Sequence, residues 1–173
     1  MVMNMKDALK YFGLLAVGLL TAIFLYPFLH ELGHTCAAII FGRQVCDFRL
    51  FPIPSVMCEM DITNELAVIV VGFSGMLLPY LVSLVPPRKT FWIWYLWLII
   101  SGICLLSFAV SIAGIFVYVS GGPMANEDVT QIMKFADEYY VLYLAILIVL
   151  SVIRSIQIVR SKPIKRCMKC FDV

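Results

Sequence analysis

Between Tyr26 and Gly42 the chain reads YPFLHELGHTCAAIIFG, and this apolar run contains His30, Glu31 and His34, a glutamate set between the only two histidines of the protein. If the run is helical, residues four apart project from one face. Both imidazoles can then reach a single Zn²⁺ at about 2.0 to 2.1 Å. Glu31 directly follows the first candidate ligand, so its carboxylate stands beside the metal. There it can take a proton from a bound water and later return it to a leaving amine. Gly33 leaves room for a second helix or backbone to approach closely. The alternative is a pair of buried histidines satisfied by hydrogen bonds between helices. Against that stands the cost of two histidines and a carboxylate in a segment apolar enough for lipid, a cost that a metal or a polar cavity would offset.

The elements that must position these residues are membrane spans. Of 173 residues 62% are hydrophobic and 14% charged, and the mean hydropathy is +0.97. These values lie outside the range of soluble globular proteins and predict an all-α polytopic membrane protein forming a single integral membrane domain. The net charge of +2 is too small to suggest nucleic acid as a partner. No small-residue cleavage site follows the first apolar stretch, so it reads as a retained span. Four segments can each cross about 30 Å of hydrocarbon: Lys10 to Gly42, Leu66 to Val85, Phe91 to Ser120 and Tyr140 to Val159. The first is longer than one crossing needs, and Pro27 predicts a kink or break within it. Between the first two spans, alternation on either side of FPIP argues for a small β-hairpin over Val45 to Ile62, with an irregular loop as the alternative.

Lysine and arginine are concentrated at Lys6 and Lys10, at Arg88 and Lys89, and from Arg160 to Lys169. The first and third loops hold only Arg43, Arg49 and Lys134. The positive-inside rule therefore predicts cytoplasmic termini, with the cell membrane as the host bilayer. It also places the far end of the first span and the segment ANEDVT on one common side. The tail from Arg160 onward reads as a solvated basic end beside anionic lipid. Its Cys167 and Cys170 supply two thiolates, where a structural zinc site uses four ligands.

HExxH is the pattern of zinc metallopeptidases, and the longer stretch FLHELGHTCAAIIFG resembles the zinc-site helix of the site-2 protease family of intramembrane metallopeptidases. GFSGMLLPYL, Gly72 to Leu81, is similar to the glycine-rich segment of that family's next core span. The resemblance implies a Zn²⁺ enzyme that cuts transmembrane or membrane-proximal segments of other proteins, with a third ligand that is an aspartate from a later core segment. This chain has neither the leucine-aspartate-glycine context usual for that aspartate nor an inserted PDZ-like domain. The corresponding segment is GGPMANEDVTQIM. In it Asp128 is the expected third ligand, ahead of Glu127, with Glu59 and Asp61 of the first loop behind. Helix capping alone would also explain an Asn-Glu-Asp cluster. Asn126 is a candidate donor to a developing oxyanion.

The resemblance also implies a site near the cytoplasmic face, whereas the charge count puts the zinc-site end of the first span on the other side. A re-entrant break at Pro27 would reconcile the two. A competing reading of the same residues is a zinc-holding membrane scaffold or chaperone that binds other spans without cutting them. Such a protein would have no chemical use for Glu31. A metal or ion carrier would want ionisable residues in the second and third spans, which contain none.

Overall fold

The computed structural model describes residues 5–52, 54–58, 64–85, 87, 90–123 and 128–170. The first apolar run is one helical stretch of 36 residues: α1 (Met5–Leu20), a five-residue π turn (Thr21–Leu25) and α2 (Tyr26–Ile40). At about 1.5 Å per residue it is roughly 54 Å long, well beyond the hydrocarbon thickness. The helix continues through Pro27, and neither a break nor a re-entrant segment forms. The irregularity is the π turn just before it, where the Tyr26 N–H donates to the Thr21 carbonyl. A proline ring presses on the carbonyl four residues back, here Ile23 in the middle of that turn. The wider winding accommodates it.

Gly42, at φ 68°, turns the chain out of α2. The expected hairpin follows as β1 (Val45–Arg49) and β2 (Ser55–Cys58). The strands pair antiparallel with Phe48 opposite Val56 and Asp47 opposite Met57, and Cys46 is the extra residue of a bulge. Positions 59–62 of the predicted hairpin lie outside the described residues. Three more helices are long and apolar enough to cross a membrane. They are α3 (Glu65–Val82), α4 (Phe91–Val119), and α6 (Tyr140–Arg160) with the 3₁₀ turn Asp137–Tyr139 before it. Asn64 caps α3 by accepting the Ala67 N–H at 3.1 Å. The spans match the apolar segments of the sequence to within a few residues, and the protein is a membrane protein.

The core surrounds α4, whose Cys104, Phe108 and Ile115 pack with Tyr26, Met76, Tyr80, Tyr143 and Leu147. Short α5 (Asp128–Ile132) adds Val129 and Ile132 to the same cluster. Among the described residues one cation is fully buried between these helices, Arg154 of α6. It donates to the carbonyls of Ser83 at 2.5 Å and Tyr80 at 2.7 Å, and its guanidinium lies 4.3 Å from the Tyr80 ring centre. Those carbonyls belong to the last turn of α3 and its C-cap residue, where the helix leaves acceptors over and the negative end of its dipole favours a cation. Trp97 adds its indole N–H to the Ser83 carbonyl at 2.7 Å.

The tail expected as a solvated basic end is helical, and none of its described residues is buried. It is an amphipathic helix, α7 (Pro163–Cys170), folded back on the bundle. Lys10 donates to the Cys170 carbonyl at 2.9 Å, and Arg166 donates to the Pro87 carbonyl at 3.2 Å while lying over the Trp94 ring.

Candidate metal centre

Helices α2 and α3 meet where side chains are smallest. A Cβ on Gly33 would lie 2.7 Å from the carbonyl carbon of Ser74 and 3.1 Å from the Cα of Gly75, so the space left by Gly33 is filled by the α3 backbone. On the other side of this contact, a Cβ on Gly75 would lie 2.7 Å from Cε1 of His34 and 2.8 Å from Cε1 of His30. The two imidazoles therefore rest on the bare backbone of Gly75. One turn earlier in α3, Gly72 makes room for the side chain of Ile132. Ile132 and Asp128 are four apart and share a face of α5. Seating Ile132 on Gly72 therefore swings Asp128 toward the histidines.

The result is a convergence of three side chains. Asp128 Oδ2 lies 2.9 Å from His30 Nε2 and 3.3 Å from His34 Nε2, and the two Nε2 atoms are 3.2 Å apart. Four ligands at 2.0 to 2.1 Å around a tetrahedral zinc are separated by about 3.3 to 3.4 Å. The three observed separations are close to three edges of that tetrahedron, and the group could hold a metal ion. The orientation of His34 supports this use. Its Nδ1 lies 2.7 Å from the Val71 carbonyl, and a carbonyl only accepts, so Nδ1 carries a proton and Nε2 is the nitrogen turned to the centre. His30 Nδ1 is buried and has no hydrogen-bond partner among the described residues. Burial alone would raise the Asp128 pKa, but its hydrogen bonds to His30 and His34 and their charge prevail and hold the carboxyl well below the usual carboxylate range. It is ionised, as a ligand must be.

Glu31 lines an adjoining cleft together with His34 and Asp128. Its Oε2 accepts the Val56 N–H at 2.9 Å. That N–H is given to Glu31 and not to β1, so the edge of β2 away from β1, which pairs with no other strand among the described residues, lies along the cleft. The cleft, about 420 Å³, is bounded by Glu31, His34, Val56, Asp128 and Gln131. A second cavity of about 240 Å³ reaches His30 and Asp128 from the opposite side, past the hydroxyls of Ser107 and Ser111. Gly72 and Gly75 are the eighth and eleventh residues of α3, which puts the centre roughly 10 to 15 Å in from the Glu65 end.

Among the residues singled out from sequence, His30, His34 and Asp128 come together and Glu31 flanks them. Asn126, Glu127, Glu59 and Asp61 lie outside the described residues. Sequence reasoning missed the Val71 carbonyl and the Val56 N–H, which carry no side-chain signal. It also assigned no specific task to Gly75, for which the Gly-x-x-Gly spacing of GFSG was the available cue.

Gly75 gives a direct test of this geometry. Gly75→Ala adds one methyl where two rings already lie, so both imidazoles must shift. Metal affinity should fall by about 10- to 100-fold, the usual range for disturbing a ligand's support, while helix content by circular dichroism stays unchanged. Unaltered metal affinity would mean that the rings do not rest on Gly75. No family model, no curated protein and no solved structure matches the chain.

Proposed function

We propose that the protein is an intramembrane zinc metalloprotease that hydrolyses peptide bonds in or near transmembrane segments of other membrane proteins. The observation that carries this reading is the convergence of His30, His34 and Asp128 at ligand separations, with Glu31 on the adjoining cleft. The resemblance of FLHELGHTCAAIIFG to the zinc-site helix of the site-2 protease family supports it.

In this reading His30, His34 and Asp128 would hold the metal. A zinc ion held there would supply Lewis acidity, which polarises a carbonyl and makes a water easier to deprotonate near neutral pH. Glu31 takes the proton of the attacking water and delivers it to the departing amine nitrogen. A substrate helix keeps its carbonyls within its own hydrogen bonds, so it must unwind before it can be cut. The edge of β2 away from β1, which lies along the cleft, suits an unwound segment that joins it as an added strand. Asn126 is the candidate donor to the developing oxyanion. The charge count puts the termini in the cytoplasm and the hairpin and α5 on the opposite face of the cell membrane. With the first helix unbroken, the cleft opens toward that opposite face.

The testing experiment incubates purified protein with a panel of single-span substrates, with and without a zinc chelator. Chelator-sensitive cleavage of at least one substrate is expected. Asp128→Ala should abolish that cleavage and weaken zinc retention, and Glu127→Ala should do much less. The reverse order would move the third ligand to Glu127. No effect of either substitution would point to Glu59 or Asp61.

A further inference from the structure

We propose that the corner between α6 and α7 is a binding site for an anionic glycerophospholipid, independent of the metal centre. α6 ends at Arg160, and the chain reverses through Ser161 and Lys162 into α7. The reversal leaves a groove of about 710 Å³. Its apolar surface comes from Val159, Ile164 and Met168, of which Val159 and Ile164 are 73% and 75% exposed. Lys162, Lys165 and Lys169 also line it, and no carboxylate does so among the described residues.

The arrangement matches one kind of occupant. In α7, Ile164 and Met168 are four apart, as are Lys165 and Lys169, so the helix presents an apolar strip beside a cationic one. The groove lies at the end of a span, where acyl chains meet headgroups. The apolar strip faces the chains, and three ammonium groups stand at the level of a lipid phosphate, which lysine binds as a point charge. Two other cations of this region are already committed to protein groups: Lys10 to the Cys170 carbonyl and Arg166 to the Pro87 carbonyl and the Trp94 ring. They fix α7 in place, so the groove is a preformed feature of the bundle.

A separate observation comes from the backbone. Lys162 has φ 52°, the left-handed conformation that ends many helices and that glycine or asparagine adopts with least strain. A lysine in that position carries strain that glycine would relieve. What it adds is an ammonium at the mouth of the groove.

The test uses the full chain in dodecyl maltoside, titrated with phosphatidylglycerol and with phosphatidylcholine of identical acyl chains and read by native mass spectrometry. Phosphatidylglycerol should bind at one site at least about tenfold more tightly, since each lysine near a phosphate contributes roughly fivefold. Lys162→Gly should lose about fivefold of that preference, with the thermal midpoint unchanged or raised because the backbone strain is gone. Adding Lys165→Gln and Lys169→Gln should remove the remaining preference. Lys6→Gln takes the same charge from an exposed position near the start of α1, outside the groove, and should leave the affinity unchanged. Equal binding of the two lipids would overturn the proposal, as would displacement of phosphatidylglycerol by millimolar inorganic phosphate or an effect of Lys6→Gln as large as that of Lys162→Gly.

Discussion

The Glu31→Gln protein should retain its full zinc complement and lose peptide hydrolysis by about 10⁴ or more, the upper end of what general acid–base assistance supplies. The structure makes the substitution selective. The Gln carbonyl can still accept the Val56 N–H that Glu31 Oε2 accepts at 2.9 Å, so β2 stays in place and the cleft keeps its shape. What disappears is the basic carboxylate. The variant should therefore hold uncut substrate, recoverable by co-purification. A scaffold that binds spans without cutting them would be indifferent to the change, because for such a protein Glu31 serves only to tie β2 to α2. The measurement is cleavage of a single-span substrate in cells expressing wild-type or variant protein at matched levels. Equal product from both would mean that Glu31 is not the base.

The second large effect concerns the metal itself. Protein purified without chelators should carry about one zinc per chain, and His30→Ala or His34→Ala should remove most of it. Two ligands remain in either variant. His34→Ala also abolishes the bond to the Val71 carbonyl, which ties the α2 site to α3. The readout is zinc per chain by elemental analysis, followed by titration of the apoprotein. Undiminished zinc in both variants would place the metal elsewhere and remove the basis for the protease and scaffold readings alike.

The spans were legible because their length and apolarity follow from the bilayer alone. Leu66 to Val85 and Phe91 to Ser120 became α3 (Glu65–Val82) and α4 (Phe91–Val119) with small shifts at their ends. The hairpin was legible from its period of two around FPIP. Which faces meet was not legible. α4 is apolar all round and carries no stripe to say what it packs against. Asp128 was reachable from its order along the chain and from the resemblance, but what brings it to the histidines is Ile132 seated on Gly72, a steric match between two distant segments. The effect of Pro27 was anticipated as a kink or break because local reasoning supplies the lost hydrogen bond and not the π turn before it. α7 went unread because eight residues rich in lysine look like a tail, although Ile164, Cys167 and Met168 stand at helical spacing.

The buried guanidinium of Arg154 bears on how the protein is made. An arginine costs about 2.5 to 3.5 kcal/mol at the centre of a lone helix in lipid and less toward its end, and Arg154, six residues before the end of α6, lowers the cost further by stretching toward the surface. α6, released singly into the bilayer, would hold Arg154 in that stretched state. Its resting place is built by others: the carbonyls of Tyr80 and Ser83 from α3, and the hydroxyl of Ser101 from α4 at 3.3 Å. Both helices precede α6 in the chain, so a ribosome delivers the acceptors before the donor. Biogenesis thus acquires a direction, in which the earlier spans assemble first and the last one locks onto them when its arginine leaves the lipid.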